Sequence, residues 1–197
     1  MTFVIGYATT ASFVIIPTIV AAPTSVGYGL GEAASVTGLV LIPGGLVGAA
    51  MAVLTSRLER LLGSRAVMST ASVAELGSVG ALLLAGVRPA MLFASSLLAG
   101  FGIGLGMTQA MNTVVASVPA ERVASVGGLT YVLRSIGGTL GGQISGSILT
   151  VDLVPGTPFP TWSAFSTTLW IGSAVALVAV GASLVLPARA QLARLDS

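Results

Sequence analysis

Six apolar stretches of about twenty residues each run through this chain of 197 residues, and nearly all of its charged residues lie in the gaps between them. A helix of about twenty apolar residues spans the roughly 30 Å hydrocarbon layer of a bilayer. The stretches show no alternation of period two, so helices explain them better than a β-barrel does. We therefore predict an all-α integral membrane bundle over residues 1–197, with a short cytoplasmic tail at 188–197. Its six spans are approximately 3–22, 35–54, 66–86, 90–117, 123–150 and 163–187.

The composition narrows the chemistry that the chain can perform. Hydrophobic residues make up 54% of the chain and charged residues 7%, which is too little polar surface for a soluble domain of this length. The chain has no cysteine and no histidine, so it lacks a thiol nucleophile and the commonest metal ligand and general base. Its six acidic residues are scattered along the sequence. We expect no enzymatic activity, no metal site and no cofactor.

The eight basic residues, all of them arginines, indicate how the chain is oriented in a membrane. Cytoplasmic links carry an excess of arginine and lysine. With a cytoplasmic N-terminus, Arg88 lies outside, and the remaining arginines of the links and tail lie inside: Arg57, Arg60, Arg65, Arg122, Arg189 and Arg194. We therefore predict that both termini are cytoplasmic. Because the arginines are spread among short links, the net charge of +2 does not indicate a nucleic-acid partner.

Arg134 is the exception, because it lies deep inside the fifth span. A lone arginine at the centre of a membrane helix costs about 2.5–3.5 kcal/mol, so it should face protein or water and have a partner. Gln109 and Asn112 of the fourth span are expected within its reach. Two interpretations stay open: Arg134 either holds the fourth and fifth spans together, or lines a cavity and responds to substrate or proton.

Three neighbours of these residues are further candidates for the wall of a transport pathway. Tyr131 lies one turn before Arg134, and Met107 and Met111 lie in the fourth span. Methionine side chains adapt to varied apolar ligands, although they more often serve as ordinary packing.

Glu75, in the middle of the third span, is the one acidic residue inside an apolar stretch. Ser69, Ser72 and Ser78 flank it at three-residue spacings on nearly the same side, so this stripe should face protein or a wet crevice. Glu75 is either a protonatable proton carrier or a hydrogen-bonded acid packed against a neighbouring helix.

Glycines recur at four-residue spacing in the fourth and fifth spans. Small residues at this spacing let two helix backbones approach closely. The faces that they form serve either static packing or sliding during transport. The pairs are Gly100 with Gly104, Gly137 with Gly141, and Gly138 with Gly142.

Three parts of the sequence carry a family resemblance. The first is residues 27–44, with Gly27, Gly29, Gly31 and then Pro43-Gly44. The second is residues 56–65, which keep Leu58, Gly63 and Arg65 of the signature loop G-x-L-x-D-r-x-G-r-r. The third contains the glycines of residues 100–106, then Val118-Pro119, Gly127-Gly128, Arg134, Gly137-Gly138 and Gly141-Gly142. Together they resemble the C-terminal six-helix half of a major facilitator superfamily transporter of the fourteen-span drug:proton antiporter branch.

The signature loop departs from the family pattern at two positions. Ser56 stands in place of the first glycine, and Arg60 stands in place of the aspartate. Glu59 is only a neighbour of that aspartate position. The basic cytoplasmic turn is kept, and the salt bridge that the family's aspartate forms is not expected.

The resemblance implies secondary active transport in a bacterial cell membrane, namely proton-coupled efflux of small amphipathic or drug-like molecules. It also implies a half-length or truncated transporter, since such proteins bind substrate between two bundles. The expected partners are therefore the lipid bilayer, a small-molecule substrate and a second six-helix bundle, either another copy or a separate N-terminal half. The alternative is a non-transporting membrane subunit, or an inactive remnant of a split or truncated gene.

The arginine distribution predicts which links are accessible from outside the cell. Cysteines introduced at Ser64 and Thr157 should differ in intact cells, because the first lies in a cytoplasmic link and the second in an external one. An impermeant thiol reagent should label only the cysteine at position 157. Labelling at position 64 with protection at position 157 would show that the topology is the opposite of the predicted one.

Overall fold

A computed structural model describes residues 2–85, 88 and 90–185, and within them the chain is helical, without a β-strand. The predicted tail at 188–197, with Arg189 and Arg194, lies outside the described residues, as does the predicted end of the sixth span. A short 3₁₀ turn at Thr24–Val26 follows the first helix. The α-helices of the described residues are α1 (Thr2–Ala21), α2 (Ala34–Leu62), α3 (Ser64–Ala85), α4 (Ala90–Ser117), α5 (Ala120–Val151) and α6 (Trp162–Val185).

The helical class predicted from the sequence is confirmed, and three of these helices are long and apolar enough to cross a membrane: α2, residues Ser64–Leu84 of α3, and α4. Large apolar side chains on α2 are more than half exposed, among them Leu39, Ile42 and Leu46. Contiguous exposed apolar surface of this kind suits contact with lipid or with another protein. The six-span count and the orientation stay predictions.

Helix α2 continues past its predicted end at residue 54, so most of the signature-like segment is helical rather than a loop. Arginine, leucine and glutamate are strong helix formers, and residues 57–62 consist only of these three types. The helix stops at Gly63, whose φ of 83° is readily adopted only by glycine. The Gly63 N–H donates to the Glu59 carbonyl oxygen at 2.9 Å.

The described α-helices associate as a group of three, a pair and a bridging helix. Helix α4 packs along both α2 and α3, α1 packs along α5, and α6 joins α3 to α1. The largest apolar core lies at the end of the bundle where α1 passes into α2, and includes Ile15, Ile19, Leu82, Leu92 and Phe165. A smaller cluster of Val67, Ala71 and Leu105 lies towards the α2–α3 end.

The same end of the bundle is closed by a layer of aromatic side chains and polar links. The Tyr28 hydroxyl donates to the Pro160 carbonyl oxygen at 2.5 Å, and its ring meets Phe165 edge-on at 5.1 Å between centroids. Burial raises the pKa of Tyr28. Hydrogen bonds donated by the hydroxyls of Ser163 and Thr161 hold the pKa of the Asp152 carboxyl below its ordinary value. The contacts of Tyr28 join the α1–α2 link to the α5–α6 link and α6, and the hydrogen bonds of Asp152 join the two ends of the α5–α6 link.

Glycines set the closest helix crossings. Between α2 and α4, the backbone of Gly44 contacts Ser96 and Gly100 directly. Between α1 and α5, Gly6 lies against the Arg134 carbonyl group and the Gly138 amide. Without a Cβ in the way, the backbones approach within contact distance of each other.

Gly44→Ala should destabilise the bundle, because its new Cβ would lie 2.8 Å from the Ser96 carbonyl carbon. Overpacking of this kind destabilises by about 1–3 kcal/mol. The neighbouring Gly45 has nothing within 4 Å of its Cβ position, so Gly45→Ala is a matched control on the same helix. We expect a lower thermal unfolding midpoint in mild detergent for Gly44→Ala alone. Equal midpoints would show that the crossing is not tightly packed.

Candidate functional site

Two cavities meet at Arg134. The first, here called the apolar cavity, has a volume of about 640 Å³ and lies between α1, α2 and α4. The second, here called the polar cavity, has a volume of about 480 Å³ and lies between α1 and α5. Thr9 and Arg134 line both. Arg134 therefore lies at the junction of an apolar and a polar space.

The apolar cavity follows from the distribution of small residues. Phe13 and Ile16 of α1 form part of one wall, and the opposite wall contains Gly48 of α2 and Gly104 of α4. Glycine leaves the space beside the α2–α4 crossing unfilled, while the direct backbone contact keeps the two helices together. The resulting volume lies within the range of roughly 300–1,000 Å³ that is typical of ligand pockets.

Arg134 is half-buried and has weak partners. Its Nη1 donates to the Met107 sulfur at 2.9 Å, and its guanidinium carbon lies 5.4 Å from the centre of the Tyr131 ring. A thioether is a weak acceptor, and an aromatic face attracts a cation by only about 0.5–2 kcal/mol. Within the described part of the chain, no carboxylate forms an ion pair with Arg134. Its charge is therefore not neutralised by a described neighbour.

The expected pairing of Arg134 with Gln109 or Asn112 is not what the structure shows. The Gln109 amide donates to the Ser64 hydroxyl at 2.6 Å, and the Asn112 amide donates to the Glu59 carboxylate at 3.2 Å. Successive residues of an α-helix turn by about 100°, so Gln109 points almost opposite to Met107, two residues earlier. Sequence spacing predicted how deep these side chains lie along the helix. It did not predict the direction in which they point around the helix axis, which is towards Ser64 and Glu59.

We call the group of Glu59, Ser64, Gln109 and Asn112 the inner polar cluster. It joins the end of α2, the start of α3 and the second half of α4. Gln109 is fully buried, and its side-chain oxygen, Oε1, has no hydrogen-bond partner among the described residues. No member of the cluster lines the apolar or the polar cavity as the structure describes them.

The signature-like residues divide between this cluster and the surface. Glu59 is buried, whereas Arg60 and Arg65 are exposed and Leu58 packs against the smaller apolar core. Because α2 continues to Gly63, position 59 rather than position 60 turns towards α4. A buried carboxylate is thus present next to the position where the family pattern has its aspartate.

Glu75 is 5% exposed and packs against Gly102 of α4. A Cβ added at Gly102 would lie 2.9 Å from the Glu75 Cγ. One carboxylate oxygen, Oε1, has no hydrogen-bond partner in the described residues. The nearby Ser72 donates to its own helix and Ser78 bonds to Ser95 of α4. Glu75 therefore occupies the α3–α4 contact, and its protonation stays a prediction.

The remaining sequence candidates lie along α4 and α5. Met107, Gly100 and Gly104 line the apolar cavity, and Gly138 and Gly142 line the polar one. Tyr131 is largely exposed, and the Met111 methyl group packs towards Gly127 of α5. Gly137 and Gly141 are buried; the Cβ position of Gly141 meets the backbone of Tyr7.

Sequence reasoning missed the contribution of α1. Thr9, Phe13 and Ile16 all line the apolar cavity and follow the spacing of one helix face. A polar residue at the start of such a face was the available signal. The signal was weak because other hydroxyl residues, Thr10, Ser12 and Thr18, occur in the same stretch.

The chain is a distant relative of a multidrug resistance protein. It is 28% identical over 120 residues to the multidrug resistance protein Stp of Mycobacterium tuberculosis strain CDC 1551 / Oshkosh, and equally to that of strain ATCC 25618 / H37Rv. The match covers 60% of this chain and 22% of each relative, so the chain spans well under a third of their length. No family model matches the chain. No solved structure matches it.

Asn112→Ala should destabilise the bundle by removing a donor from the buried Glu59 carboxylate. Leaving a buried acceptor without such a donor costs about 1–3 kcal/mol. Gln143→Ala truncates an exposed amide on α5 and serves as the matched control, with an expected effect within about 0.5 kcal/mol. The comparison uses thermal unfolding midpoints in one detergent. Equal unfolding midpoints for the two variants would show that the Asn112–Glu59 hydrogen bond does not stabilise the fold.

Proposed function

We propose that this chain is embedded in a bacterial cell membrane and forms one wall of a secondary transporter that exports small amphipathic or drug-like molecules in exchange for protons. The apolar cavity carries this proposal, because its volume of about 640 Å³ suits a small organic molecule. Its lining combines apolar and glycine residues with the charge of Arg134. The similarity to a multidrug resistance protein supports the same substrate class.

The proposed membrane arrangement has six spans with both termini in the cytoplasm. The three strongly apolar helices and the exposed apolar side chains of α2 and α5 support it. On α5, Val132, Ile136 and Leu140 form one exposed stripe. Such a stripe is unfavourable in water and suits lipid or a partner protein.

A second six-helix bundle is proposed to complete the transporter. The apolar and polar cavities lie among α1, α2, α4 and α5, and transporters of this kind place the substrate between two bundles. Either another copy of the chain or a separate N-terminal half would supply the opposite wall. Rocking of one bundle against the other would then expose Arg134 alternately to the two sides of the membrane.

The test is to compare the chain alone with assembled forms. The chain is purified in mild detergent, its protein mass is measured by light scattering, and it is reconstituted into vesicles with an imposed pH gradient. We expect the monomer to give no substrate-dependent proton flux, and a dimer or a co-expressed six-span partner to restore it. A monomer with flux would defeat the requirement for a partner. Absence of flux in every assembly would favour a non-transporting subunit.

Two variants tie the flux to the apolar cavity. Ala52 lines this cavity, so Ala52→Phe should fill it and abolish the flux of the active assembly. Ala49 lies on the same helix, is exposed and does not line the cavity, so Ala49→Phe should keep the flux. Equal flux from the two variants would place the transport route elsewhere.

A further inference from the structure

We propose that the apolar cavity selects amphipathic organic anions, and that Arg134 pairs with the anionic group of the bound molecule. This inference rests on the proposed function and specifies the charge of its substrate. It follows from three features of the described residues: the unneutralised guanidinium, the absence of acidic residues from both cavities, and the position of Arg134 at their junction.

The guanidinium of Arg134 has more donors than partners. Arginine carries five N–H donors in a planar fork. In the described structure one of them reaches the Met107 sulfur, and the Tyr131 ring lies beside the charge. A carboxylate or sulfonate would offer two strong acceptors in a geometry that matches the fork. Binding an anion would therefore satisfy a group that the folded chain leaves weakly partnered.

The buried acidic side chains of the described helices, Glu59 and Glu75, do not line the cavities beside this charge. The described residues that line the two cavities include no aspartate or glutamate. Glu75 packs against Gly102 in the α3–α4 contact, and Glu59 bonds to Asn112 in the inner polar cluster. No acidic side chain of the described cavity linings therefore offsets the positive charge of Arg134, which favours an anion over a cation.

The shape of the site requires that the anion also be apolar. On one side of Arg134, Phe13, Ile16 and Ile103 line the apolar cavity and would contact a hydrocarbon or aromatic body. On the other side, Ser135, Thr139 and Gln143 line the polar cavity and would contact water or the remaining oxygens of the charged group. A molecule with an apolar body and an anionic head matches both sides at once.

Two probes with the same rings test the charge selection. Anilinonaphthalene sulfonate is an anion, and phenylnaphthylamine is its uncharged counterpart. Both are titrated against the full chain in lipid nanodiscs, with empty nanodiscs subtracted. We expect Arg134→Gln to weaken binding of the sulfonate by about tenfold or more, since a hydrogen bond to a charged group is lost. Binding of the uncharged probe should stay within about twofold of the wild type, because its contacts do not use the charge.

Arg88→Gln is the matched control, because Arg88 lies between α3 and α4 and is exposed. It should bind both probes as the wild type does. Equal sulfonate affinity of Arg134→Gln and the wild type overturns the inference. So does a wild type that does not prefer the anion over its uncharged counterpart.

A second pair of variants keeps the test decisive if Arg134→Gln does not fold. Arg134→Lys retains the charge without the planar fork and should keep the preference for the anion at reduced affinity. Ala52→Phe leaves Arg134 in place but fills the apolar cavity, and should exclude both probes. Retained sulfonate binding in Ala52→Phe overturns the inference.

The flux measurement separates this inference from the proposed function. Flux that does not depend on the charge of the transported molecule would overturn the anion selection and leave transport intact. Arg134-dependent anion binding without flux in any assembly would support the site and contradict the transport proposal.

Discussion

Direct contact between helix backbones is the constraint on which the rest of this structure depends. At the α2–α4 crossing Gly44 meets Gly100, and at the α1–α5 crossing Gly6 meets the carbonyl group of Arg134. The first contact fixes the face of α4 that carries Met107, and the second fixes the height of Arg134 beside α1. In lipid, where the hydrophobic effect does not hold helices together, such close packing is a principal source of association. The glycines therefore position the charged group as well as the helices.

The closest helix crossings differ from the contact between α4 and α5. Helices α2 and α4, and likewise α1 and α5, meet through extensive backbone packing, whereas α4 and α5 have a smaller contact that includes Met107 with Arg134 and Met111 with Gly127. A thioether and a methyl group against glycine are adaptable contacts. The site thus combines tightly packed helix crossings with an adaptable contact between α4 and α5. This combination suits a pocket that accepts ligands of varied shape.

Hydropathy was sufficient to predict the helical class and to place Arg134 inside a helix. It did not predict the partners of Gln109 and Asn112, because hydropathy records depth along a helix and not rotation about its axis. Hydropathy also placed the end of the second span at residue 54, eight residues before the end of α2. Charged residues mark the boundary of a membrane span, but they do not end a helix. The stop is set by Gly63, whose backbone conformation rather than polarity breaks the helix. The role of Thr9 required the neighbouring helices, since Thr10, Ser12 and Thr18 of the same stretch are also polar and the sequence does not distinguish among them.

Hydrogen-bond partners distinguish two kinds of polar group within this bundle. In the inner polar cluster, Glu59 accepts a hydrogen bond from Asn112 and Ser64 accepts one from Gln109, so these groups hold three helices at fixed positions. Arg134 has the opposite character, with a thioether and an aromatic ring in place of a carboxylate. Hydrogen bonds between buried side chains rigidify a fold, even though the Gln109 Oε1 atom of this cluster has no described partner, whereas a charge with weak partners retains binding capacity. On this criterion the hydrogen bonds of the inner polar cluster join helices, whereas Arg134 keeps donors available for a ligand of the kind proposed above.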